Sequence, residues 1–160
     1  MKNKNKAFTI IELLVAMSLF VIFMVIASGG FIRALRTQRS IVALIAANDN
    51  ASLTLEQMAR EIRTGSNFSS PSGAELNFTN AYNESVVYQL NGNIIERNSK
   101  PITASNVKIN KLIFYLQGEQ LGDGYPPRIT ISLNISPNIP TIQNISTSFQ
   151  TTVSGRNLDT

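Results

Sequence analysis

The run from Leu13 to Ile32, LLVAMSLFVIFMVIASGGFI, holds no ionisable side chain, and nothing else in the chain constrains folding as strongly. Wound as an α-helix at about 1.5 Å per residue, this run spans about 30 Å, the hydrocarbon thickness of a bilayer. A helix that is apolar on every side has no face for water, so lipid or other protein must bury it. A single membrane span is the simplest reading. Lys2, Lys4 and Lys6 precede the span and Arg33, Arg36 and Arg39 follow it, so the positive-inside count does not fix its orientation.

The remainder of the 160 residues suffices for one modest globular domain. The chain has no Cys and no His, which excludes disulfide frameworks, Cys/His zinc sites, cysteine nucleophiles and any Ser-His-Asp arrangement. Its net charge of +4 would fall to +1 without the three leader lysines, so the basicity reads as membrane flanking and argues against a nucleic-acid partner. The sheet region also lacks a Lys/Arg stripe alternating with aromatics.

Two patterns compete for the N-terminus. A secretory signal peptide would use the three lysines as its basic region and Ala27-Ser28-Gly29-Gly30 as its cleavage site. Alternatively, a cut between Ala7 and Phe8 would keep the apolar run in the mature protein. The sequence after Gly30 favours retention, because Ile41, Leu44, Ile45, Asn48, Ala51, Leu55, Met58 and Ile62 recur at three- and four-residue steps. No Pro interrupts them, and Gly65 follows as a candidate residue just past the helix end. One helix is therefore predicted from about Thr9 to Thr64, apolar first and amphipathic afterwards, with Gly29-Gly30 as its weak point.

From Phe68 onward the period changes to two. Leu76–Thr79 and Ser85–Leu90 read as strands, and Asn91-Gly92-Asn93 joins the second to Ile94–Arg97 as a hairpin. Lys111–Leu116, Arg128–Ile135 and Ser148–Val153 follow. Ile129, Ile131, Leu133 and Ile135 alternate strictly, giving one apolar sheet face that the stripe from Ile41 to Ile62 would cover. The expected class is α+β: a long N-terminal helix packed on an antiparallel sheet. Its predicted parts are a leader (1–7), a membrane helix (8–32), an amphipathic continuation (33–65) and a β-rich domain (66–160).

The segment AFTIIELLVAMSLF resembles the N-terminus of type IV pilins and of the pseudopilins of type II secretion. A short basic leader, a small residue, Phe, an acid four positions later and an apolar helix carry that resemblance from Lys6 to about Phe31. It implies that Ala7/Phe8 is a prepilin peptidase site, that Phe8 becomes the N-methylated terminus, and that Glu12 meets the terminal amine of a neighbouring subunit during assembly. The pattern prefers Gly where this chain has Ala7, a difference of one methyl group. ASLTLEQMAREIRTG, VVYQLNGNIIER, PPRITISL and FQTTVSGRN are similar to minor pilins and pseudopilins of the PilW or J type. The partners implied are other pilin or pseudopilin subunits, prepilin peptidase, an inner-membrane assembly platform and membrane lipid. The resemblance places the protein in the inner membrane as a single-pass subunit and then in an extracytoplasmic filament, with no cofactor and no enzymatic activity.

Several features carry a simpler explanation. Thr9-Ile10-Ile11-Glu12 fits a capping box, which alone accounts for an acid at that point. Leu121-Gly122-Asp123-Gly124-Tyr125 has one Asp without the ligand ladder of a calcium loop and reads as a turn, so no metal is expected. Asn77-Phe78-Thr79 and Asn134-Ile135-Ser136 have the form of glycan acceptors but arise by chance in an Asn- and Ser-rich chain. Glu75, Glu84, Glu96 and Glu119 show no paired spacing and read as solvated surface. A signal-anchored extracytoplasmic domain that binds a partner without polymerising, and a DNA-uptake pilus subunit, remain the alternative functions.

Overall fold

A computed structural model describes residues 8–118, 125–139 and 145–156. The chain separates into two units, one ending at Ile41 and the other beginning at Val42. A single helix, α1, runs Ile10–Arg63. Within the first unit, every described residue up to Arg39 is exposed, so this part of the helix has no protein partner among the described residues.

In the second unit, Ala47, Ala51, Thr54, Leu55, Met58 and Ile62 form the buried face of α1. This departs from the expected stripe at its start, because Ile41 and Ile45 are each 53% exposed while Ala47 and Thr54 are buried. The Thr54 hydroxyl is satisfied by the Asn50 carbonyl at 2.9 Å, so its burial leaves no orphan donor.

Two sheets pack with this face, where one was expected. The first is an antiparallel meander in strand order β1 (Ser66–Ser69), β2 (Glu75–Thr79), β3 (Ser85–Asn91), β4 (Ile94–Arg97) and β5 (Lys100–Pro101). The second, also antiparallel, has β7 (Arg128–Pro137) between β6 (Val107–Gln117) and β8 (Thr147–Ser154). The alternation read in β7 holds: Ile129, Ile131, Leu133 and Ile135 are all buried. They share one core with Met58 and Ile62 of the helix and with Leu76, Phe78 and Tyr88 of the first sheet.

Turn chemistry sets the meander. Gly92 opens the β3–β4 hairpin with φ 61°, as a two-residue turn of type II′ requires. Asn98 and Ser99 both adopt positive φ between Arg97 and Lys100, the geometry of a type I′ turn, and this hairpin adds the unexpected β5. Gly65 is required for a reason other than left-handed φ. A Cβ there would lie 2.6 Å from Cδ2 of Phe78, so only glycine lets the chain leave the helix against that ring.

Candidate functional site

At the N-terminal end, Thr9 and Glu12 satisfy each other. The Glu12 amide donates to Thr9 Oγ1 at 3.3 Å, and the Thr9 amide donates to Glu12 Oε2 at 2.9 Å. The Thr9 hydroxyl also donates to the same Oε2 at 2.9 Å. This is the reciprocal capping box, and it accounts for helix initiation at Ile10. The cap uses one carboxylate oxygen. Oε1 of Glu12 has no hydrogen-bond or ion-pair partner among the described residues, which leaves it open for an external donor. Phe8, two residues before the helix, is 87% exposed. Ala7 and the three leader lysines lie outside the described residues.

The helix that follows is long and apolar enough to cross a membrane, and none of its most apolar stretch is buried by the protein. Within it, the Ser18 hydroxyl is satisfied by the helix itself, donating to the Val15 carbonyl at 2.8 Å. That is the arrangement lipid demands, since hydrocarbon offers no hydrogen bonds. Glu12 therefore sits at the margin of an all-apolar surface as the acid of the first helical turn.

A second polar centre, at the other end of α1, has no counterpart in the sequence reading. Glu61 accepts from Arg97 twice, Nε to Oε2 at 3.0 Å and Nη2 to Oε1 at 2.6 Å. Tyr88 Oη donates to Oε2 at 2.5 Å, and Asn80 Nδ2 reaches Oε1 at 3.4 Å. The two-pronged Arg97 contact holds the Glu61 carboxyl below its ordinary range, against the opposing effect of partial burial. Burial and the Glu61 carboxylate push the Tyr88 hydroxyl up, and the same carboxylate raises Arg97 further. Both carboxylate oxygens are occupied and the group stays ionised, so it serves as an anchor and not as a proton acceptor poised near neutrality. It ties the last turns of α1 to β3 and β4 beside an open groove of about 750 Å³ lined by Leu53, Arg60, Asn80 and Tyr82 among others. Helix periodicity does not reveal this pairing, because Arg97 is 36 residues from Glu61.

The carboxylates expected to be solvated divide. Glu84 is exposed, but Glu75 and Glu96 are half-buried, and Glu96 accepts from Gln89 Nε2 at 3.1 Å and Asn91 Nδ2 at 3.0 Å. Cross-strand pairing of β3 with β4 draws the Glu96 carboxylate into this local network. Both Asn triplets lie in strands, β2 and β7. Asn77 is half-buried in β2, and Asn134 donates to Ser148 Oγ at 2.9 Å while accepting from Asn110 at 3.0 Å. Glu119 and the Leu121–Gly124 part of the candidate calcium loop lie outside the described residues.

Residues 2–28 match a family model described as the prokaryotic N-terminal methylation motif. Comparison with curated proteins and with solved structures gives no match. The matched segment contains Ala7, Phe8, Thr9 and Glu12 and most of the exposed apolar helix.

Proposed function

We propose that this chain, marked by its N-terminal methylation motif as a type IV pilin-like prepilin, is cut between Ala7 and Phe8, methylated on the Phe8 amine, and assembled as a minor subunit of a pilus or pseudopilus. The observation that carries this reading is the coincidence of the motif with an apolar helix that no part of the described protein covers. The helix first rests in the inner membrane as a single span. Prepilin peptidase removes Lys2, Lys4 and Lys6 on the cytoplasmic side, and an assembly platform then transfers the helix from lipid to the helices of other pilin subunits.

Glu12 supplies the polar part of that transfer. Cleavage creates an ammonium at Phe8, and Oε1 of Glu12, which has no partner among the described residues, is suited to receive the ammonium of a neighbouring subunit. Such a pair at 4 Å gains about 4 kcal/mol at an effective dielectric of about 20, before desolvation is subtracted. A position at the filament tip, where minor subunits start assembly, follows from the resemblance to that subgroup. Intact mass and N-terminal sequencing of the protein from its native host test the proposal. The expected product begins at methylated Phe8. A terminus near Gly30 would establish a removed signal peptide instead, and an intact Met1 would establish a plain anchor.

A further inference from the structure

The first charged residues after the apolar run of α1 are Arg33, Arg36 and Arg39, and no Asp or Glu occurs between Glu12 and Asp49. All three arginines are exposed. In the globular unit Arg60 pairs with Glu56 and Arg97 with Glu61, whereas the guanidinium groups of Arg33, Arg36 and Arg39 have no hydrogen-bond or ion-pair partner among the described residues. Like charges a turn apart on a helix repel, so the cluster is a local cost that an anion placed among the three groups would relieve.

The position of the cluster on the helix identifies that anion. A helix turns about 100° per residue, so steps of three keep Arg33, Arg36 and Arg39 within an arc of about 120°, on one face. If the hydrocarbon of the bilayer ends at Ile32, Arg33 and Arg36 stand about 1.5 Å and 6 Å beyond it, inside a headgroup layer about 5–8 Å deep. Arg39 stands about 10.5 Å beyond, at the outer margin of that layer. Side chains on an α-helix lean toward its N-terminus, which here is the direction of the membrane, so the long arginine stems carry all three guanidinium groups back toward the lipid phosphates. Guanidinium binds phosphate through paired hydrogen bonds, which a low-dielectric boundary strengthens.

We propose that Arg33, Arg36 and Arg39 form a binding site for the headgroup of an anionic phospholipid in the leaflet where the span ends. A zwitterionic lipid carries its own ammonium, which three unneutralised arginines repel, so the lipid selected is one with net negative charge. The inference rests on the reading of Leu13 to Ile32 as a membrane span, and it is independent of cleavage at Ala7 and of incorporation into a filament.

Full-length protein in nanodiscs of equal parts phosphatidylglycerol and phosphatidylcholine tests the site, with native mass spectrometry counting the lipids that stay bound. Lys2→Gln, Lys4→Gln and Lys6→Gln are introduced throughout, so that only the arginine end of the span can select lipid. A basic residue near an anionic surface is worth about 1 kcal/mol, or about fivefold in binding. Retained phosphatidylglycerol should therefore exceed phosphatidylcholine, each single Arg→Gln change should lower the ratio by up to about fivefold, and the triple change should bring it to about one. Arg60→Gln, on the same helix but outside the interface, should leave the ratio as it was, and salt at about 0.5 M should reduce it by screening. Gln is as good a helix former as Arg, so circular dichroism should show the same helicity in all variants. A ratio near one with the arginines intact, or a preference that survives the triple change, would overturn the proposal. So would an unchanged ratio accompanied by loss of co-purifying partner subunits, which would assign the arginines to acidic protein instead. Failure of the chain to insert would overturn the membrane-span reading itself, whereas insertion without lipid preference removes this inference alone.

Discussion

The portions of α1 on either side of Ile41 share one backbone conformation and differ in what sustains it. Residues from Leu13 to Ile32 form helix without any tertiary contact among the described residues, through an uninterrupted apolar run headed by the Thr9–Glu12 cap. Residues from Ala47 to Ile62 form helix because one face is buried against two sheets. The first portion must find its burial outside the chain and the second finds it inside. Periodicity therefore predicts whether a helix completes a domain or is left for lipid and partners.

The most severe way to break this contrast is to remove one portion at a time. A chain beginning near Thr37 should fold and melt cooperatively, because the buried face of α1 and both sheets remain together. A chain beginning at Ser66 should aggregate, since losing Met58 and Ile62 uncovers the buried faces of the sheets. Circular dichroism and denaturant melts of the two fragments decide it, and cooperative melting of the shorter one would show that the helix is not part of the core. Point changes repeat the comparison at lower amplitude. Met58→Ala should cost about 2–5 kcal/mol in a denaturant melt, whereas Leu19→Ala, at a position 62% exposed, should leave the midpoint of that transition unchanged.

The Glu61 anchor gives the second portion a dependence on pH. Its carboxyl titrates lower in the folded protein than its ordinary 4.5, because Arg97 pairs with the ionised form. The stability it adds is fully present above about that value and is lost as pH falls through the lower folded value. Glu61→Gln should therefore cost about 2 kcal/mol at neutral pH, as expected for lost hydrogen bonds to a charged group. The difference from the unaltered protein should shrink as melts are repeated from pH 5 down to pH 3. A gap independent of pH would mean that the carboxylate charge contributes nothing.

How much of this was legible depends on how local the cause is. The alternation of Ile129 to Ile135 and the Gly92 turn are encoded within a few residues, and β7 and the β3–β4 hairpin stand where the sequence placed them. The capping box was equally plain in Thr9 and Glu12. β1 and β5 are not legible in the sequence, because SNFS and KP lack an alternating apolar pattern and are held by their neighbours. The division into two sheets and the Glu61–Arg97 pair arise from long-range packing, which spacing does not report. Ile41 and Ile45 belong to the apolar stripe yet are exposed, because periodicity marks an apolar face without saying where its cover begins.

Glycines test the same distinction with smaller changes. Gly65→Ala should destabilise by about 1–3 kcal/mol, since the added methyl must displace the Phe78 ring. Gly29→Ala and Gly30→Ala meet nothing within 4 Å, and each should favour helix by about 0.5–1 kcal/mol. Denaturant melts report the first change, and helicity of the full chain in detergent reports the other two. A neutral Gly65→Ala would show that the ring yields freely.

Glu12→Gln should have the smallest effect on folding and separates the two uses of that side chain. The cap needs an oxygen that accepts from the Thr9 amide and hydroxyl, and the Gln carbonyl provides one. Helicity, membrane insertion and cleavage at Ala7/Phe8 should therefore be retained within a few tenths of a kcal/mol, on the order of the difference between good capping residues. Pairing with a neighbour's terminal ammonium needs negative charge, which Gln lacks, and an ionised carboxylate near the membrane has a standing cost that only such a partner relieves. Co-purification with partner subunits should consequently fall while processing stays intact. Glu12→Ala supplies the reference for a lost cap, because it removes both functions together. If Gln matches Glu in co-purification and only Ala fails, Glu12 acts through the cap alone, and the external burial of the first helix portion proceeds on apolar contact without the charge.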